Sequence, residues 1–281
     1  MGAGAVAIGE EQRMADTVEL AWGAARVRID PDDGGRLTSL NVAGHELIGG
    51  IGRGVVEHGS FLMAPWAGRI RDGVLRVNGS AHQLPTVRTH PHAGHGLVLD
   101  RPWRVLRAMG RLATLRVDLD DRWPFAGHMI CEVRLADSAI IQTASLYAHG
   151  QPFPATLGWH PWFPRVVAGA ELQLSLTAEG MLVRDRFGIP DGRVVPPPPG
   201  PWDDCFVGVR WPVILRWPGV LSLAVDADTD HLVVFDEKPT MVCVEPQTGP
   251  PDGPNWSPRM VTDRDPLIAT TTWTWRLEQP S

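Results

Sequence analysis

From Val18 onward the chain alternates apolar and polar residues in short runs cut by glycine, proline and aspartate. VELAWG and AARVRID lead through Pro31-Asp32-Asp33-Gly34-Gly35 into RLTSLNV, and Ala43-Gly44 leads on to HELIGG. Alternation with a period of two puts successive side chains on opposite faces of a strand, and turn residues between such runs predict antiparallel hairpins. The pattern returns in VLRVNGS, WRVLRAM, LATLRVDL, MICEVRLAD, AIIQTASLYAH, ELQLSLTAEG, MLVRD, VILRWPG, LSLAVDA, HLVVFDE and TTTWTWRLE. Almost no segment long enough for a helix carries a 3.6-residue period. The 30 glycines and 26 prolines also favour turns over helices. Residues 194–201, rich in proline, read as a surface loop. The pattern predicts an all-β protein: a flexible tail over residues 1–17, then residues 18–281 as a single large antiparallel β-sandwich with one face free to line a groove.

Composition narrows the setting. A chain of 281 residues would by length alone suggest about two domains, but all-β folds run to roughly 250 residues as one unit. Hydrophobic content of 43% and charged content of 21% are those of a globular protein. A net charge of −6 leaves no electrostatic footprint for nucleic acid or an anionic membrane. Three cysteines, Cys131, Cys205 and Cys243, cannot all pair, and each lies in a strand-like apolar run. Buried free thiols are expected, as in a reducing compartment. The N-terminal residues lack the basic flank and apolar core of a signal peptide, and no run approaches the ~18 apolar residues of a membrane span. The expectation is a cytoplasmic monomer or homodimer with no nucleic-acid or membrane partner.

Five stretches carry polar groups in apolar company. In MVCVEPQTGPPDGPN a strand-type run delivers Glu245 to a Pro- and Gly-rich end. Partial desolvation there raises a carboxyl pKa and suits it to act as a base near neutrality; a carboxylate capping a strand or pairing with arginine would look the same. In FLMAPWAGRIRDG, Arg69 sits among bulky residues and must be paired or face a polar ligand. HPHAGHG offers His90, His92 and His95, but Pro91 and Gly94 rule out a helix that would set two rings on one face. The spacing therefore favours one binding histidine over a metal centre, and no metal is expected. In LGWHPWFP, His160 lies between two tryptophans and a phenylalanine, where an apolar cage disfavours imidazolium. In WDDCF, Asp203 and Asp204 either shape a turn or turn one carboxylate into the groove to accept hydroxyl protons. No serine or cysteine nucleophile signature, phosphate loop or dinucleotide fingerprint is present.

Taken in order, these stretches resemble the aldose 1-epimerase (galactose mutarotase-like) family over about residues 18 to 278. The family's PxxNRI resembles Pro65-Trp66-Ala67-Gly68-Arg69-Ile70, its HG pair His95-Gly96, its G-x-HPYF segment Gly158-Trp159-His160-Pro161-Trp162-Phe163, its DHxF segment Asp203-Asp204-Cys205-Phe206, and its EPxT strand end Glu245-Pro246-Gln247-Thr248. The short length, Arg101-Pro102-Trp103 and the PPDGPN loop are similar to a compact bacterial branch. The resemblance implies a galactose mutarotase-like supersandwich and cofactor-free exchange of sugar anomers. Glu245 would be the base, His160 the acid, and His95, Arg69 and Asp203 the groups that hold the sugar. The two catalytic groups would face each other across a gap about one pyranose wide. Gly68 stands where the family has Asn, and Asp204 where it has His. Three alternatives remain: a hexose-6-phosphate epimerase using Arg69, Arg71 and Arg88, a non-catalytic sugar-binding protein, and a zinc hydrolase built on His90, His92 and His95.

Overall fold

The computed structural model describes residues 17–86 and 90–279. The expected tail therefore lies outside the described residues except for Thr17, as does Arg88. Among the described residues, two antiparallel sheets of eleven and eight strands account for most of the chain. Across the larger sheet the order is Val18–Trp22, Ala25–Asp30, Arg36–Val42, Ser60–Met63, Gly158–Pro164, Met241–Gln247, His231–Phe235, Asp203–Val209, Ala178–Arg184 and Pro190–Val195; His45–Glu46 joins at Arg36–Val42. The smaller sheet runs Arg104–Met109, Leu112–Asp118, Gly127–Ala136, Ala139–Ala148, Leu267–Leu277, Leu221–Ala227, Val213–Trp217 and Gln173–Ser175.

The core lies between the sheets. Val242, Val244, Phe163, Leu232 and Phe206 of the larger sheet join Leu223, Val225 and Trp273 of the smaller in one apolar cluster. The rings of Phe163 and Trp273 meet across the interface at 5.2 Å. Because side chains alternate, the residues between these face the other way. Trp162, Met241 and Cys243 pack together there, beneath loops, apart from the main core. The larger sheet is thus covered on both faces at its middle, and Met241–Gln247 is buried from end to end.

This double burial explains where the hydrophobic pattern misled. Ser60–Met63 and Gly158–Pro164 are strands. Both read as interruptions because a strand covered on both faces shows a continuous apolar run instead of alternation. The proline-rich stretch also differs from expectation: Val194 and Val195 end the strand Pro190–Val195, and the loop begins after them.

Candidate active site

Register brings the central residues together. Gly158 pairs with Gln247 and Trp162 with Cys243 on adjacent antiparallel strands, a register that sets His160 opposite Glu245. The backbone ladder lapses between those two pairs, where Pro161 and Pro246, lacking N–H donors, stand. On the far side His160 pairs with Phe61, and Glu245 pairs with Val233, itself opposite Cys205. Phe61, His160, Glu245, Val233 and Cys205 therefore form one transverse row across five strands.

Within that row His160 Nε2 lies 3.3 Å from Glu245 Oε1, with side-chain exposures of only 7% and 4%. Phe61 stacks on the imidazole at 4.6 Å, and His95 meets it edge-on at 5.2 Å. The other carboxyl oxygen, Oε2, accepts a hydrogen bond of 3.1 Å from Gln247 Nε2. The expected gap between acid and base is absent: the two groups touch. Direct contact suits chemistry at a hemiacetal, because the anomeric hydroxyl oxygen and the ring oxygen are bonded to the same carbon. Groups serving both must be neighbours.

The remaining candidates are placed by the loops. Arg69 opens the short strand Arg69–Ile70, pairs with Gly94, and donates from Nη1 to the Phe187 carbonyl at 3.0 Å. His95 follows Ala93–Gly94; its N–H donates to the Gly68 carbonyl at 2.6 Å, and its Nδ1 lies 3.2 Å from Met63 Sδ. Gly96 explains the His-Gly pair. It has φ of +78° and lies so close to Ala64 that a Cβ would come within 2.2 Å of that carbonyl oxygen. Gly68, with φ of +61°, is held against Pro251, which a Cβ would approach to 3.1 Å. Asp203 begins the strand Asp203–Val209, and neighbouring Asp204 accepts from Arg184 Nε at 2.8 Å.

These residues line one cavity of about 240 Å³, walled by Ile51, Val56, Trp162 and Phe235 among others. Glu245, His160, His95, Arg69 and Asp203 all reach it. A volume just under the ~300 Å³ lower range of ligand pockets suits a small molecule. The three histidines of the HPHAGHG stretch do not act together. His92 is buried and accepts the Asp72 N–H at 2.9 Å, His90 accepts the His92 N–H, and only His95 lines the pocket. Sequence reasoning missed Gln247, which lines the pocket and bonds Glu245. A period of two through Glu245 was the signal, since residues two apart on a strand share a face.

Burial acts on the titratable groups in opposite senses. It drives the Glu245 carboxyl well above its ordinary value, with the Asp203 charge adding to the rise, while the Gln247 hydrogen bond and Arg69 oppose it. It drives the His160 imidazole well below the usual range, helped by His95 and by the Arg36 and Arg69 charges. His95 falls to about 3 by burial and the nearby Arg69. Burial also raises Asp203, against Arg69 and Arg184. Both directions are those the sequence suggested, a raised carboxyl and a disfavoured imidazolium, and together they favour a neutral pair sharing one proton.

The fold is an all-β sandwich with a buried carboxyl–imidazole pair lining a small pocket. The family model for aldose 1-epimerase matches residues 16–208, and the chain belongs to that family. The matched segment holds Arg69, His95, His160 and Asp203, and Glu245 lies beyond it. The chain is similar to a putative aldose 1-epimerase from Escherichia coli K12 (16% identity, 93% of this chain and 99% of that one, TM-score 0.80). It is also similar to a galactose mutarotase-like protein from Clostridium acetobutylicum (15%, 93% and 95%, 0.84) and to galactose 1-epimerase from Lactobacillus acidophilus NCFM (16%, 96% and 97%, 0.78). At such identities these solved structures speak for the fold. No curated protein sequence matches the chain.

Proposed function

We propose that the protein is an aldose 1-epimerase acting on a free sugar, with Glu245 as base and His160 as acid. The observation that carries this reading is the 3.3 Å contact between His160 Nε2 and Glu245 Oε1 on the pocket floor. When the pair's one proton sits on His160, Glu245 takes the proton of the anomeric hydroxyl while His160 gives its own to the ring oxygen. The C1–O5 bond breaks and leaves an open-chain aldehyde. The pair is then neutral, the state that burial favours. Rotation about C1–C2 presents the other carbonyl face; Glu245 returns its proton to the carbonyl oxygen, His160 recovers one from the attacking hydroxyl, and the opposite anomer forms. Direct contact lets the proton pass between carboxyl and imidazole when the enzyme is free. No step calls for a cofactor. His95, Arg69 and Asp203 hold the remaining hydroxyls.

A neutral sugar is favoured over a phosphorylated one by the lining. The pocket holds the carboxyl groups of Glu57, Asp203, Asp204 and Glu245 against two guanidinium groups, Arg69 and Arg184. Arg184 is engaged by Asp204, and Arg71 is outside the lining and pairs with Asp185. Freshly dissolved α-glucose, α-galactose and glucose 6-phosphate, followed by polarimetry or NMR exchange, test the reading. At least one free sugar should exchange anomers faster with enzyme, and Glu245→Gln should lose about 10²–10⁴-fold of that rate. Binding of sugars without any acceleration would make the protein a carbohydrate-binding module.

A further inference from the structure

Beneath the pocket floor, the strand that carries Glu245 also carries Cys243, two residues earlier and on the same face. A ring nitrogen of His160, the Cys243 thiol sulfur and a Glu245 carboxyl oxygen all lie within 4.8 Å of one another. The three residues are 6%, 0% and 3% exposed. We propose that these three side chains form a binding site for a soft divalent cation of the zinc type, and that the bound ion blocks the sugar chemistry. The second half of this proposal rests on the epimerase reading; the first does not.

The geometry fits the ion. Zinc bonds of ~2.0–2.1 Å to nitrogen and oxygen at a tetrahedral angle set those two ligands roughly 3.3–3.4 Å apart. The observed separation of His160 Nε2 and Glu245 Oε1 is 3.3 Å. A sulfur bonded at ~2.3 Å belongs roughly 3.6 Å from each, and with the three ligand atoms within 4.8 Å of one another each sulfur distance has about 1.2 Å at most to close. Because His160 and Glu245 line the pocket, water or a sugar hydroxyl can supply the fourth ligand. Chemistry fits as well: imidazole, thiolate and carboxylate together are a zinc donor set, and the thiolate selects soft ions over magnesium or calcium. A doubly charged ion with one thiolate and one carboxylate is neutral overall, as a buried site requires.

Binding displaces two protons to solvent, one from the Cys243 thiol and one from the His160–Glu245 pair, so affinity falls as pH falls. The occupied pair has neither a free carboxylate to take the anomeric proton nor a free imidazole nitrogen to serve the ring oxygen.

Cobalt(II), a spectroscopic stand-in for zinc, tests the site without reference to activity. The metal-free full chain should take up one equivalent with a thiolate-to-cobalt charge-transfer band. That band should vanish in Cys243→Ser and persist in Cys131→Ser, whose thiol lies in the other sheet. Glu245→Gln should weaken cobalt at least tenfold, a check that does not depend on the folding of the cysteine variant. Zinc should slow wild-type anomer exchange at least tenfold at saturation, with its midpoint at least tenfold higher in Cys243→Ser, each protein referred to its own metal-free rate. A wild type without a thiolate band, a band that survives in Cys243→Ser, or equal zinc midpoints would overturn the proposal. A cobalt band in a protein that speeds no sugar exchange would keep the site and remove the epimerase.

Discussion

Burial of His160 against Glu245 sets opposite pressures on the two groups, and both pressures can be measured. The imidazole is lowered from 6.5 and the carboxyl raised from 4.5, so the one-proton pair spans a wide pH range. The kcat/KM profile should be a broad bell, its acid limb with a midpoint below 6.5 and its alkaline limb above 4.5. His95, at about 3, stays neutral across it. A narrow bell centred on a single pKa near 6.5 would contradict this. Stability follows from the same shifts. The lowered imidazole makes stability rise with pH from its folded value up to 6.5, the raised carboxyl makes it fall from 4.5 up to its folded value, and where both act the two slopes cancel. The fall belongs to the carboxyl, which keeps its proton in the folded state after the unfolded chain has lost it. Glu245→Gln removes that fall. Its Tm, measured against wild type by calorimetry, should gain steadily as pH rises past 4.5.

At the scale of elements, most of the larger sheet could be read in advance, but Ser60–Met63 and Gly158–Pro164 could not. VELAW and ARVRID alternate because one face of each meets the core and the other meets solvent. Gly158–Pro164 is buried on both faces and shows no alternation, so its polar histidine marked it as a site before anything marked it as a strand. Register made the difference to chemistry: His160 and Glu245 meet because flanking pairs align their strands, and two prolines suspend the ladder between them. The loop bearing His95 is held at close quarters by backbone contact, with Leu97 N–H donating to the Ala64 carbonyl at 2.7 Å. Gly96→Ala should force that contact apart. With a disfavoured positive φ and a steric clash together, it should cost about 2–4 kcal/mol of stability in denaturant titration and reduce sugar turnover. An unchanged midpoint would show that the loop is not held in this way.

At the scale of the molecule, we propose that residues 18–281 fold as one unit, since a single apolar cluster runs between the two sheets. Trp159 and Trp162 report on the larger sheet, Trp217 and Trp273 on the smaller. Tryptophan fluorescence and far-ultraviolet circular dichroism should therefore trace one coincident unfolding transition, and two separated transitions would divide the chain. By itself the sequence determined the all-β class, the turns and hairpins at the sheet edges and the buried unpaired cysteines, and it singled out Glu245, His160, His95, Arg69 and Asp203, which line the pocket. These follow from local periodicity and from polar groups that apolar company cannot absorb unaided. Only the tertiary structure decided that His160 and Glu245 touch, that burial parts their proton affinities, and that Gln247 and Cys243 stand beside them. Strand register and desolvation depend on residues far apart along the chain, and no local window of sequence contains them.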